Sequence, residues 1–268
     1  SGVRQWGTYY GGNAEYAESS EGVITDSDGY VYLSGTTDST GSISTTGAHQ
    51  TSYGGYGDAF LVKFNSSGVR QWGSYYGGNW EENGLSVITD SEDRVYLCGR
   101  TRSTNAISTT GAYQVSYGGG DYDAFLVKFN SSGIRQWGTY YGGTSEDCGR
   151  GIIADADGYL FLCGYTQSTN AISTTGAHQV SFNGVQDAFL VKFESELGIS
   201  EPVLSSPTNN AIGVQVMPVF IWNNVNSATS YSLQVSTSPS FTSTVVNVGT
   251  TSNTYTSTTT LNCNSTYY

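Results

Sequence analysis

The chain has 268 residues and a net charge of −12, from 10 basic and 22 acidic side chains, with only 12% charged residues but 35 glycines and 21 tyrosines. A chain this acidic lacks the clustered Lys and Arg that phosphate contact needs, which argues against nucleic acid as a partner and against a basic membrane-surface helix. No stretch approaches the ~20 apolar residues of a membrane-spanning helix, and the aromatic and β-branched content is too high for a disordered chain.

The chain opens on GVRQWGTYYGG, and the same block returns as GVRQWGSYYGG and GIRQWGTYYGG, with tryptophans at 6, 72 and 137. A second block, DAFLVKF, begins at Asp58, Asp123 and Asp187. Two further blocks recur in register: VITDSDGYVYLSG, VITDSEDRVYLCG and IIADADGYLFLCG, and then ISTTGAHQ, ISTTGAYQ and ISTTGAHQ. Self-similarity at a step of about 65 residues marks a repeat architecture. The units run near 2–67, 68–132 and 133–194 within a region spanning 1–194. Because the chain begins inside a unit, it reads as a mature or trimmed product, and the lack of a leader says nothing about export.

Each unit predicts four short strands. In the first they fall at 22–25, 30–36, 59–64 and 69–76. Asp26-Ser27-Asp28-Gly29 supplies a tight turn between the first two and Asn65-Ser66-Ser67-Gly68 another between the last two, since Asp and Asn tolerate turn geometry and Gly supplies positive φ. The Ser/Thr/Gly-rich stretch 38–57 between them is a surface loop. In the third strand Phe60, Val62 and Phe64 point one way, Ala59 and Leu61 the other. A strand apolar on both faces has to be covered on both. Sheets packed radially between neighbours achieve this, which makes the fold class all-β, with β-propeller blades of four strands. Three units yield three full blades only if residues 3–10 complete the sheet whose other strands lie in 150–193. Three units fall short of the 4–8 blades usual in propellers, so excision from a longer array or assembly of copies is favoured over a closed three-bladed ring.

The motifs RQWGTYYGG, DSDGYVYLSG, TTGAHQTSYGG and DAFLVKFNSSG resemble the bacterial seven-bladed-propeller-type repeat family over residues 2–194. That resemblance implies a propeller, an extracellular setting and no assigned chemistry.

Residues 195–201 read as a linker, after which composition shifts to Ser, Thr, Asn and Val. Segments 202–207, 219–222 and 230–236 alternate at period two. Trp222 ahead of SYSLQV resembles the fibronectin type III domain, an immunoglobulin-like sandwich of ~7 strands in ~100 residues. Only 67 residues follow Glu201, so 202–268 is expected to be a partial sandwich, either truncated or completed by a strand from another chain.

No Ser/His/Asp, Cys/His, metalloprotease or phosphate-loop pattern occurs, so catalysis is not expected. His49 and His178 share a repeat position with Tyr113, which favours aromatic packing over general-base chemistry. Asp26, Asp28, Asp155 and Asp157 lie in acidic turns that are calcium candidates, although D-x-D-G is also an ordinary hairpin turn. Cys98 and Cys163 read as small buried thiols, with Cys148–Cys163 a candidate disulfide. The recurring Arg4, Arg70, Arg135, Lys63, Lys128, Lys192, Asp58, Asp123 and Asp187 read as scaffold hydrogen bonds. Residues that differ between copies are the better functional clue. Trp80 sits in the loop 77–84 with Glu81 and Glu82, where the other units have Ala14 and Ser145, and Arg100 and Arg102 replace Thr36 and Asp38. Tyr53, Tyr56, Tyr117 and Tyr122 crowd another loop. A Trp beside carboxylates suits a sugar, whose apolar face stacks on the ring while the carboxylates accept from hydroxyls. Asp38-Ser39-Thr40 resembles a short bacterial O-glycosylation motif.

The expected function is therefore an extracellular structural or adhesive module of a bacterial surface or secreted protein. Its partners would be a protein or glycan at the cell surface, with no cofactor beyond candidate calcium. The alternatives are a carbohydrate-binding module, and a self-assembling subunit of a surface filament completed by a neighbouring chain.

Overall fold

The computed structural model describes residues 2–13, 18–194, 202–225 and 228–268, and the linker expected at 195–201 lies outside them. The chain divides into two units, Ser1–Ser195 and Glu196–Tyr268. The first contains β1 (Ser19–Thr25), β2 (Val31–Thr37), β3 (Asp58–Phe64) and β4 (Arg70–Tyr76), paired antiparallel in the order β1-β2-β3-β4. The second repeat gives β5 (Glu82–Thr89), β6 (Val95–Thr101), β7 (Asp123–Phe129) and β8 (Arg135–Tyr141), in the order β5-β6-β7-β8. The third gives β9 (Asp147–Ala154), β10 (Tyr159–Thr166) and β11 (Asp187–Glu194), in the order β9-β10-β11.

The turns form as their residues dictate. Asp26 Oδ1 accepts from the backbone N–H of Asp28 and Tyr30, and Asp90 and Asp155 do the same in their own turns. Asn65 and Asn130 play that part between the last two strands of their repeats. Gly29 and Gly158 take φ of 79° and 84°; in the second repeat Asp93 takes φ of 56° in their place. That substitution places its carboxylate 3.1 Å from the N–H and hydroxyl of Ser27, tying one turn to the next.

Period-two alternation then sorts each strand between two cores. Ala59 and Leu61 of β3 pack with Phe125, Val127 and Phe129 of β7 between the first and second sheets. Ala124 and Leu126, on the other face of β7, pack with Leu160, Leu162 and Phe189 of the third sheet. Phe60, Val62 and Phe64 form a further cluster with Ile43 and Tyr75. All residues of β3 and β7 are buried, so the expected two-sided cover holds for both strands. β1 and β2 pack against β5, and β5 and β6 pack against β9. β11 has the sequence of β7 yet alternates between exposed and covered positions, because its outer edge and one face have no neighbour among the described residues.

Residues 3–10 do not complete the third sheet. The described segment 2–13 forms no strand and lies on the first repeat. Trp6 Nε1 donates to Ser66 O at 3.0 Å and Tyr10 Oη to Ile43 O at 2.7 Å, with the Tyr10 ring 5.2 Å from that of Phe60. These contacts repeat those made one unit later by Trp72 with Ser131 O and by Tyr76 with Ile107 O. The segment is thus held where the outer strand of a preceding sheet would stand.

The second unit has β12 (Leu204–Ser206), β13 (Val219–Trp222), β14 (Tyr231–Val235), β15 (Val246–Thr250) and β16 (Thr254–Thr256). They form two sheets, β12-β13-β16 and β14-β15. Phe220, Trp222, Val235 and Val246 make a core to which both sheets contribute, with Trp222 edge-on to Tyr231 at 5.5 Å. Tyr268 exchanges both backbone hydrogen bonds with Ser236, extending the chain along the end of β14.

Candidate functional site

Most repeated polar residues serve the scaffold. Asp58 accepts from Gln50 Nε2 at 2.7 Å and from Gly54 N–H at 3.0 Å, and Asp123 and Asp187 accept from equivalent partners. Arg70 and Arg135 donate to the carbonyls of Ser42 and Ala106. His49 packs on Tyr76 and Phe129, as Tyr113 packs on Tyr141 and Phe193 one repeat later. Burial, then the charge of Arg135, pulls the His49 imidazole down to about 4.

The residues that break the repeat gather at the starts of β5 and the ends of β6. Trp80 is 48% exposed and stacks on Tyr56, which is 72% exposed, at 5.0 Å between ring centres. This pairs the Trp80 loop with the tyrosine-rich loop, which the sequence had shown only as separate clusters. Next to it, Arg102 N–H donates to Glu81 O, and Tyr122 Oη donates to Glu81 Oε2 at 2.7 Å. The guanidinium groups of Arg100 and Arg102 lie over the Tyr122 ring at 4.1 and 4.4 Å. Tyr122 therefore orders one carboxylate and two cations around a single ring. Burial, followed by its bond to Glu81, raises its phenol to about 12. Arg102 also pairs with Asp121, and Arg100 Nε donates to Asn83 Oδ1 at 2.7 Å.

Glu82 does not join this surface. It is fully buried, accepts from Gly78 N–H and from the Thr101 hydroxyl, and burial raises its carboxyl above the usual range. Glu18 and Asp147 hold Gly12 and Gly143 in the same way, so this acid is a repeat feature that secures the YYGG turn. Its recurrence as an acid in all three copies was a signal present in the sequence.

Sequence reasoning did not find the recess beside Arg100. Ser19, Glu21, Thr36, Asn83, Leu85, Arg100 and Arg150 line a space of about 270 Å³ where β1, β5 and β9 converge. Its two guanidinium groups and one carboxylate can hold a polar ligand with acidic and hydroxyl groups.

In the acidic turns the carboxylates of Asp26 and Asp155 accept from their own turn backbones. Burial alone would raise Asp26, but Tyr30 N–H, the Tyr32 hydroxyl and Lys63 together hold it below its ordinary range. Lys63 Nζ lies 3.3 Å from Asp26 Oδ2. Asp28 donates its backbone N–H to Asp26, and Asp157 and Tyr159 donate theirs to Asp155. Among the described residues no three His, Cys, Asp or Glu side chains form a metal-holding group. The candidate Cys148–Cys163 disulfide is not formed, and all four cysteines are free. Cys148 stands opposite Tyr165 and Cys163 opposite Gly151, two positions apart along β10, with Arg150 bulged out of β9 between them. Cys148 is buried and Cys163 exposed. Only Cys98, of the two thiols expected to be buried, is so.

Residues 136–170 match the beta-propeller repeat family model. That match spans β9, β10 and most of β8, and supports the reading of the repeats. The chain is also 24% identical over 173 residues to the regulatory protein FlaEY of Caulobacter vibrioides, across 65% of this chain and 18% of that protein. The chain thus corresponds to less than a fifth of the length of that relative.

Proposed function

We propose that this chain is a non-catalytic interaction module that acts outside the cell or on its surface. Its beta-propeller repeats present a partner-binding face, and residues 202–268 serve as a fibronectin type III-like companion. One observation carries this reading. Three near-identical copies keep the scaffold residues, yet Trp80, Arg100, Arg102 and Tyr122 depart from the repeat together, at one place. An exposed aromatic pair beside fixed cations and a carboxylate is the composition of a contact hot spot, where Trp, Tyr and Arg dominate.

The second reading, a carbohydrate-binding module, draws on the same pair: Tyr56 and Trp80 offer aromatic faces for a sugar ring, and Glu81 with Arg100 offers hydroxyl partners. A glycan array and a panel of cell-surface proteins probed with the native chain test both. Trp80→Ala should weaken the captured interaction at least tenfold while leaving thermal stability nearly unchanged, because surface substitutions typically cost within about 0.5 kcal/mol. Undiminished capture by Trp80→Ala would remove this face from the function. Capture from the protein panel alone would favour adhesion over sugar binding.

A further inference from the structure

The first strand of each repeat carries one extra residue at the same place. Pairing shifts between Ser20 and Gly22 in β1, between Gly84 and Ser86 in β5, and between Gly149 and Gly151 in β9. The residues left over are Glu21, Leu85 and Arg150, which share one repeat position. A bulged residue leaves the ladder and its side chain is re-aimed, a device common beside binding sites. All three line the recess of about 270 Å³. The rest of its wall comes from two cross-strand pairs that are also repeat equivalents, Ser19 with Thr36 and Asn83 with Arg100. The framework of the recess is thus repeated while its contents change. An acid, an aliphatic group and a base stand at the three bulges, and Arg100 stands where the first repeat has Thr36 and the third Tyr165. The DAFLVKF strands, which serve packing, do not vary at all.

Two cations converge on this space. Arg150 is exposed and rests over the Tyr165 ring at 5.4 Å, and its guanidinium makes no hydrogen bond or ion pair among the described residues. Arg100 gives its Nε–H to Asn83 Oδ1 and lies 3.8 Å from Glu146 Oε1, which also accepts from the Tyr165 hydroxyl. The charges of both arginines act on the Cys148 thiol, against the upward push of its burial. Glu21 accepts from the Ser19 hydroxyl at 2.9 Å and pairs with neither arginine. The lining therefore keeps an excess of positive charge in a chain whose net charge is −12. Its volume lies just under the ~300–1,000 Å³ of pockets for drug-sized ligands, which suits one small molecule.

We propose that this recess binds a sugar acid. The carboxylate lies between Arg150 and Arg100, whose planar guanidinium groups match it with paired N–H donors. The hydroxyls meet Glu21, Thr36 and Asn83, and the apolar edge of the ring rests on Leu85. A neutral sugar would leave the Arg150 charge unanswered, and a bare anion would leave Glu21 as a repelling charge with no hydroxyl to accept from. The proposal stands without the reading of the Trp80 face: Arg100 is common to both, but Tyr56 and Trp80 do not line the recess.

Calorimetric titration of the 268-residue chain tests it, with glucuronate offered free and as the terminal residue of a short oligosaccharide. Glucose and inorganic phosphate serve as comparisons. Glucuronate should saturate one site per chain, and glucose should bind at least tenfold more weakly. Saturation by either form supports the proposal, and the tighter of the two names the source. Arg150→Gln should weaken glucuronate at least tenfold at an unchanged Tm, because the side chain is exposed. Glu21→Ala should narrow the preference for glucuronate over phosphate. Failure of both forms to saturate, equal affinity for glucose, full displacement by equimolar phosphate, or undiminished affinity in folded Arg150→Gln overturns the assignment. The two readings fail separately: capture after Trp80→Ala reads the Trp80 face, and glucuronate affinity after Arg150→Gln reads the recess.

Discussion

Asp58 and Asp123 open the two fully covered strands and are themselves buried. Each faces a second carboxylate across a glycine: a Cβ on Gly77 would lie 2.3 Å from Glu82 Oε2 and 2.9 Å from Asp58 Oδ1. Burial first, and then the neighbouring acid against the hydrogen bonds they accept, lifts both aspartates from 3.8 to about 7. The unfolded chain loses these protons near 3.8 while the folded chain keeps them to about 7. The folded state therefore binds more protons across this window, so stability falls as pH rises through it and levels off above. His49 opposes this, because an imidazole held at about 4 contributes stability above 6.5 that is lost as pH drops toward 4. Two carboxylates outweigh one imidazole. Tm should rise on acidification from about pH 8 to about pH 5, and below about pH 4 it should fall as Asp26 and Asp90, both held low, take up protons. Asp58→Asn with Asp123→Asn should flatten the upper limb. A Tm that drops steadily from pH 8 to pH 5 would contradict this account.

Strands and turns were the most legible elements, because each hairpin is set by its own four residues. Those expected in the first repeat end within a few residues of β1 to β4. The sites were less legible because they join elements distant in sequence. Glu81 and Glu82 are neighbours with opposite fates, decided by which side of β5 faces the YYGG turn. Tyr56 meets Trp80 only because the second and third strands of one repeat place their loop against the start of the next. The disulfide failed on register: Cys148 stands opposite Tyr165, two residues along β10 from Cys163. Turn glycines also differ in what surrounds them. A Cβ on Gly29 meets nothing within 4 Å, whereas one on Gly133 comes within 2.8 Å of the Trp72 ring. Gly29→Ala should thus cost only the strain of its φ of 79°, about 1–2 kcal/mol. Gly133→Ala, at the same φ, should cost more and shift Trp72 fluorescence, since the ring must leave its bond to Ser131. Equal losses for the two variants would mean that the Trp72 contact carries no energy.

Across the whole repeat region, stability depends on position in the stack more than on sequence. Leu61, Leu126 and Leu190 occupy the same place in three copies of DAFLVKF, yet the first two are 0% exposed and the third is 73% exposed. Leu61 helps to fill the core between the first and second sheets, and Leu126 the one between the second and third. Truncating a buried leucine to alanine removes its transfer energy and leaves a cavity, about 2–5 kcal/mol. The same change on an open face costs within about 0.5 kcal/mol. Denaturant titrations of Leu61→Ala, Leu126→Ala and Leu190→Ala at dilution should then separate two severe variants from one near-silent one. Equal losses for the three variants would mean that cover by a neighbouring sheet does not set the cost.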